Sequence, residues 1–393
     1  MHVVRLELTN VRTFRQLDLP LTRGAHLILG ANGSGKTNLV ESIAMLATTR
    51  GVRRGDDIDL ITWAGPEQEP LPAARMAAEV ETVRGRVTLE IAVIAGERPP
   101  DGPSEGPART RATRRFRVNG VARRASDLIG RLRVVMFSVE DLRIVEGPPA
   151  LRRRYLDITL AQLDQAYVRA SQRYARVLQQ RNSLLRRLQE RRGAADELEF
   201  WDDELAAAGA VLLAARAAAI RRLSGDVADR YDELAGAGER LAICYRPAVP
   251  DAIAGTLGEH DLAERLRAAL ELGRRGDIDR GMTRIGPHRD DVTFTIGGRD
   301  AATFASRGQQ RTIALALRLA EVTLSTERTG DSPVLLLDDI LSELDAHRRD
   351  RVLRAAFGVD QVVITTPDED RPAPGELPGA TRYRLDGGTL ARA

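Results

Sequence analysis

The chain has 393 residues, enough for one large domain or two with a substantial core. Its formal charge is +3, from 59 Lys and Arg against 56 Asp and Glu, a dense but nearly balanced surface that excludes a general polyanion sponge. A single cysteine, Cys244, excludes an internal disulfide framework and fits a reducing cytosol, and no apolar run is long enough to read as a membrane span.

Taken in order, the first segment Met1–Leu8 alternates like a strand and carries no apolar signal region, so a cytoplasmic protein is expected. Strands are predicted over 3–8, 26–29, 77–83, 86–94, 115–118 and 133–137, and a helix over 38–47 with Leu39, Ile43 and Leu46 on its apolar face. Glu97–Thr113, rich in Pro, Gly, Glu and Arg, reads as a mobile hairpin loop. From Leu151 to about Leu234 the texture is helical. Trp201, Leu205, Ala208, Leu212, Ala215, Ala219 and Leu223 form a heptad-like stripe, and Gly193–Asp196 reads as a turn. That pattern predicts an antiparallel helical hairpin whose helices, at roughly 35 residues, would each reach about 50 Å. An ordinary helical subdomain packed on the core is the alternative. After Leu241 strand-like texture returns. Cys244, inside Leu241–Tyr245, is expected to be a buried, inert thiol. A helix over 306–324, a strand over 333–337, a helix over 345–357, a strand over 361–365, a proline-rich loop over 367–378 and a last strand over 382–385 complete the reading. The fold class is α/β, with a nucleotide-binding head split between 1–150 and 240–393 and a helical arm, 151–239, inserted into it.

The only lysine of the chain is Lys36; every other base is arginine. It stands in Gly30-Ala31-Asn32-Gly33-Ser34-Gly35-Lys36-Thr37, the full P-loop pattern G-x-x-x-x-G-K-[ST]. A P-loop lysine must reach the β- and γ-phosphates as a compact charge on a flexible stem, which a planar guanidinium does not replace. Backbone amides of the loop and the positive end of the helix dipole would face the phosphates. Gly33 and Gly35 permit conformations closed to other residues. Thr37 would offer its hydroxyl to Mg²⁺. Val334–Asp339 has the form of a Walker B strand, with Asp338 holding Mg²⁺ and Asp339 orienting or deprotonating the attacking water.

Three further segments follow the order found in ABC ATPases. Ser306-Arg307-Gly308-Gln309-Gln310-Arg311 resembles the ABC signature, and with Ser306 at a helix start it would cap a γ-phosphate; a plain helix N-cap is the bland reading. Ser342–Asp345 resembles a D-loop, and Thr365-Thr366 sits where a switch residue is carried. In ABC ATPases the signature of one subunit caps ATP held on the P-loop of the other. Gly30–Thr37 with Ser306, Gly308 and Gln309 would therefore bind ATP in a composite site.

With these motifs in place the chain resembles the RecF family of DNA replication and repair proteins over nearly its full length. The carriers are Leu8–Phe14, Gly30–Glu41, Phe137–Leu142, Arg152–Asp157, Gln180–Leu185, Gly286–Asp291, Ser306–Arg311 and Leu335–Asp345. The resemblance implies an SMC-like ATPase that hydrolyses ATP slowly, forms an ATP-dependent homodimer and binds DNA with ATP. It also implies a role with RecO and RecR in placing the RecA recombinase on gapped DNA. Departures are Val139 where a proline is usual, Ser34 before Gly35-Lys36, and a loose match at Thr49–Arg54. Glu140 is a candidate for the Q-loop residue, and Arg12 for a phosphate contact. Arginines at 152–154, 186–187 and 191–192 either face DNA or pair on solvated helix faces. His288-Arg289-Asp290 is not a kinase loop, since no Asp-Phe-Gly follows. An ABC transporter subunit and an ATP-switched DNA-binding scaffold without meaningful hydrolysis are the other readings.

Overall fold

The structure, a computed structural model, describes residues 1–51, 56–62, 73–96, 112–235, 238–249, 257–367 and 377–393. Most of the loops expected over 97–113 and 367–378, and residues 52–54 of the 49–54 loop, lie outside these. The chain divides into two compact units, Met1–Asp141 with Glu321–Ala393, and Leu142–Ala320.

The first unit is built on two six-stranded sheets. In one, five parallel strands run in the order Val134–Ser138, Val334–Asp338, Gln361–Thr366, Gly24–Leu29 and Thr381–Asp386, with Thr389–Arg392 antiparallel on the edge. Every residue of Val334–Asp338 and Gln361–Thr366 is buried, which is why these strands are continuous hydrophobic runs rather than alternating ones. The other sheet is antiparallel and alternating, with His2–Val11, Ala73–Thr82 and Gly85–Ala95 as its long members. Helix Lys36–Thr48 is buried on nearly all sides, and its Leu39, Val40, Ile43 and Leu46 share one core with Leu6, Leu8, Met76 and Ile91 of the antiparallel sheet and Ile28, Leu336 and Val363 of the parallel one. Such a helix has no polar face, so its sequence carries little amphipathic signal.

The second unit is mainly helical. Pro149–Leu163, Gln165–Gln189 and Glu197–Ala235 fulfil the expected helical stretch, and the turn between the last two contains Gly193 at φ 104°. The 39-residue helix spans about 58 Å. Its stripe residues Leu205, Ala208, Leu212, Ala219 and Leu223 are buried, and so are Ala206, Gly209, Leu213, Arg216 and Ala217 beside them. The face is wider than a coiled-coil seam because a third helix, Glu259–Arg280, packs on it too: a Cβ on Gly209 would stand 2.5 Å from Leu266. No helix is predicted there from the sequence, although Leu262, Leu266 and Leu270 step by four between Gly258 and the left-handed cap Gly281. Residues 240–320 were expected to belong with the head. They group instead with the helices, through a small antiparallel sheet of Leu241–Arg246, Asp291–Ile296 and Arg299–Asp300. In that sheet Leu241, Ile243 and Tyr245 point inward while Cys244 points outward and is exposed, which corrects the expectation of a buried thiol.

Candidate nucleotide site

Ser138, Asp338, Thr365 and Ile28 stand in register across the carboxyl end of the parallel sheet, where open α/β sheets place their ligands. The P-loop leaves strand Gly24–Leu29 at this edge and ends in Gly35, the N-cap of helix Lys36–Thr48, with φ 110° and no capping side chain. The first-turn amides of that helix therefore receive no side-chain cap, the arrangement that suits an anion. Gly30 and Gly35 are both obligatory by space: a Cβ would lie 2.5 Å from the Leu385 carbonyl at Gly30 and 2.5 Å from Thr13 Oγ1 at Gly35. Asn32 and Gly33 form the exposed crest, with Ala31 before them, while Ser34 is buried and its Oγ has no hydrogen-bond partner.

Lys36 is 4% exposed, and its Nζ donates to the carbonyls of Gly30 at 2.8 Å and Ala31 at 3.1 Å. Strand Gln361–Thr366 lies between the P-loop strand and the Walker B strand, so Thr365 comes between the two acidic residues and the loop. Thr37 Oγ1 donates to Asp338 Oδ1 at 3.2 Å, and Thr365 Oγ1 reaches the same oxygen at 2.9 Å. Thr365 Oγ1 also accepts the Asp339 amide at 3.0 Å and lies 3.2 Å from Asp339 Oδ1. One hydroxyl proton cannot serve both carboxylates, and the shorter contact assigns it to Asp338. Asp338 is thereby fixed. Asp339, at φ 51°, turns back toward the loop with Oδ2 3.9 Å from Lys36 Nζ.

Thr37 Oγ1 and Asp338 Oδ1 are two hard oxygens on a common point, a donor set that fits Mg²⁺ completed by water and phosphate oxygens. Among the described residues no group of three or more His, Cys, Asp or Glu could hold a metal by itself, and no helix is long and apolar enough to cross a membrane.

Other candidates fall into place differently. Arg12 Nη1 is engaged by Glu41 at 2.6 Å and Asn38 at 3.0 Å, so it braces the P-loop helix. Glu140 lies in the short turn after Ser138, at the same sheet edge. Ser342 Oγ donates to the Asp339 carbonyl, and Asp345 accepts the Arg348 amide at the start of helix Ala346–Ala356. Ser306, Gly308 and Gln309 lie in the second unit. There Ser306 is a helix N-cap as well: its Oγ accepts from Gln309 N and its own N donates to Gln309 Oε1, a reciprocal capping box.

The arginines sort clearly. Arg152 pairs with Asp291 at 2.7 and 3.1 Å and donates to three carbonyls, and Arg153 donates to the Asp290 carbonyl. Both are engaged within the fold, and Arg153 and Arg154 are half-buried. At the helical turn Arg186, Arg187, Arg191 and Arg192 are exposed; Arg186 Nε donates to the Asn182 carbonyl at 3.2 Å, while Arg187 to Glu197 and Arg192 to Glu190 are loose pairs, each at 3.7 Å.

Sequence reasoning missed what Gly286–Asp291 does. Asp290 is buried and accepts from Arg216, Tyr245 and the Ala248 amide, while Arg216 also binds Asp157 at 2.7 Å and the Pro287 carbonyl. The motif therefore clasps helices Pro149–Leu163 and Glu197–Ala235 to the small sheet. Its His288 takes Tyr174 OH on Nδ1 and the Thr283 carbonyl on Nε2, which fixes a neutral tautomer with the proton on Nε2. Burial pushes His288 down from 6.5 to about 4. Between those values the unfolded chain binds a proton that the folded one refuses, so stability falls as pH drops from 6.5 toward 4, by up to roughly 3 kcal/mol. Urea midpoints of the parent should fall more steeply over that window than those of His288→Gln. Equal slopes would refute the assignment.

The parallel sheet, P-loop, Walker B end and separate signature helix define an ATPase head of the ABC and SMC kind. The RecF/RecN/SMC N-terminal domain family matches residues 2–371. The chain belongs to the RecF family of DNA replication and repair proteins. It is 45% identical to the DNA replication and repair protein RecF of Chloroflexus aurantiacus, over 99% of both chains, and 43% identical to that of Herpetosiphon aurantiacus, also over 99% of both. A solved structure of the recombination mediator protein RecF with ATPrS, from the RecFOR pathway, superposes with a TM-score of 0.84 at 28% identity, covering 100% of this chain and 98% of that one. The SMC head bound to the C-terminal winged-helix domain of ScpA shares the fold at a TM-score of 0.53 and 15% identity, with 100% of this chain and 97% of that one covered.

Proposed function

We propose that the chain is a cytoplasmic, ATP-dependent DNA-binding protein of recombinational repair and replication restart. It would dimerise on ATP at gapped DNA and help RecO and RecR to load RecA. The observation that carries this reading is the meeting of Thr37, Asp338 and Thr365 oxygens next to a buried Lys36. Relatives solved as RecF-ATP and RecF-ATPrS support ATP as the ligand. ATP would supply the phosphoanhydride and contacts joining two copies, and Mg²⁺ would neutralise the phosphate charge. Gly30, Ala31, Asn32, Gly33, Ser34 and Gly35 would wrap the phosphates, Lys36 would neutralise them, and Thr37 and Asp338 would hold the metal. Asp339 would take the proton of the water that attacks the γ-phosphorus as the bridging P–O bond breaks and ADP leaves, making a weak, DNA-stimulated ATPase. Ser306, Gly308 and Gln309 of the second copy would close the site, and Arg154 with the exposed arginines at 186, 187, 191 and 192 are the DNA-facing candidates.

Sedimentation velocity with and without ATP, and with gapped DNA, tests this reading. ATP should convert monomer to dimer, and DNA retention should fall steeply with salt as phosphate contacts are screened. A chain that stays monomeric at saturating ATP, or holds DNA regardless of salt, would overturn it.

The scaffold reading keeps one specific support: Asp339 is a methylene shorter than a glutamate and is drawn toward Lys36. Asp339→Asn separates the two. A working ATPase loses phosphate release by about a hundredfold while dimerisation persists. Unchanged release would leave a switch without a catalytic acid at this position.

A further inference from the structure

The side-chain amide of Gln309 is used at both ends. Its Oε1 accepts the Ser306 amide at 2.8 Å, and its Nε2 donates to Glu239 Oε1 at 2.8 Å. The other carboxylate oxygen of Glu239 accepts from Tyr231 OH at 2.6 Å, and Tyr231 is 0% exposed in the last turns of helix Glu197–Ala235. A continuous chain thus runs from the long helix through Tyr231, Glu239 and Gln309 to Ser306.

The polarity of this chain is fixed by its middle member. A carboxylate only accepts, so Glu239 demands the NH₂ end of the Gln309 amide. That leaves the carbonyl end for Ser306 N–H, which seats Ser306 in its capping geometry. Ser306 Oγ in turn accepts from Gln309 N at 3.2 Å, so its hydroxyl proton is directed elsewhere. The two donors Tyr231 and Gln309 also hold the Glu239 carboxyl below its usual range, so it remains an acceptor across the neutral range.

We propose that Glu239 is a positioning residue for the ATP-capping turn: it locks the Gln309 amide, which locks Ser306 so that its hydroxyl proton is free for a phosphate held by a second copy. This rests on the composite-site reading and assigns Gln309 a supporting role within it, with Ser306 as the phosphate donor. It also ties the capping turn to the end of the 39-residue helix, so a displacement of that end is felt at Ser306.

The test compares the wild-type full chain with Glu239→Ala and Glu239→Gln. ATP binding is measured by calorimetry at concentrations that keep the chain monomeric, and self-association by sedimentation velocity at saturating ATP. Glu239→Ala should weaken ATP-dependent dimerisation by at least about tenfold, the loss expected for a hydrogen bond to a charged group, with ATP affinity of the monomer unchanged. Glu239→Gln can present its carbonyl to Gln309 and its NH₂ to the Tyr231 oxygen, so it should recover to within about threefold of wild type. Gln309→Ala added to Glu239→Ala should cost nothing more. Dimerisation of Glu239→Ala equal to wild type, a Glu239→Gln as weak as the alanine variant, or a parallel loss of monomer ATP affinity would each overturn the proposal. A wild-type chain that binds ATP yet never dimerises would defeat the composite-site reading itself, before any substitution is made.

Discussion

Lys36→Arg should lower ATP affinity by roughly a hundredfold or more, measured by calorimetry, although charge is conserved. Lys36 is buried beneath the loop, with Nζ within 2.8 and 3.1 Å of two backbone carbonyls and 3.9 Å from Asp339. That space fits a narrow stem and a compact ammonium. A guanidinium is planar and wider, and the helix around it is packed by Leu39, Val40 and Ile43, all 0% exposed. The chain uses arginine for every other base, so this position carries a steric demand that charge alone does not meet. An affinity within about threefold of wild type would mean that the lysine neutralises phosphate without fitting it.

Arg181→Ala should destabilise the helical unit by about 3–5 kcal/mol in urea unfolding. Arg181 is 0% exposed and is among the largest fully buried side chains. Its Nε donates to Asp202 at 2.7 Å and its Nη1 to Asp277 and Thr283, both at 2.8 Å. These partners come from helices Glu197–Ala235 and Glu259–Arg280 and the loop after the latter, so one guanidinium joins three segments to helix Gln165–Gln189. Arg274 and Arg284 also reach the two aspartates but from more exposed positions, and they cannot replace the buried contact. Removing Arg181 leaves carboxylates in the interior with less than their full complement of donors, besides a cavity. Arg181→Lys should retain the charge but not the fork, and fall between the two. A loss under about 1 kcal/mol for the alanine variant would show that the network is not what holds these helices.

The same network explains what sequence could and could not reveal. Lys36, Thr37, Asp338 and Asp339 were legible as candidates because a P-loop and a Walker B end are contiguous patterns, and the structure brings Thr37 to Asp338 and Lys36 to Asp339. Thr365 was legible only as a position, since its bonds to Asp338 and Asp339 depend on the order of strands in the sheet. Gln180–Leu185 and Gly286–Asp291 were visible as family marks with no physical role attached, and Arg152–Arg154 of Arg152–Asp157 were read only as DNA-facing or solvated. Their partners lie far off in sequence, 96 residues for Arg181 with Asp277 and 74 for Arg216 with Asp290. No spacing rule connects such residues. Helix Glu259–Arg280 was hidden by its interior glycines Gly273 and Gly276 and its many charges, which blur the step of Leu262, Leu266 and Leu270. Cys244 was misplaced because an apolar-looking strand was assumed buried on both faces, whereas Leu241–Arg246 buries one. Ser306 was readable as either cap or ligand, and the geometry shows it capping its own helix while its hydroxyl proton is directed elsewhere.

A site begun by Lys36 in one copy and finished by Ser306 in another makes a strict demand on mixed dimers. Mixing two inactive variants, Lys36→Ala and Ser306→Arg, tests it most directly. Each alone should neither dimerise on ATP nor release phosphate. A mixed dimer, however, holds one site with an intact Lys36 from one chain and an intact Ser306 from the other. The mixture should regain ATP-dependent association and phosphate release, greatest at equal concentrations. A mixture as inactive as its components, or a Ser306→Arg variant that is fully active by itself, would contradict it.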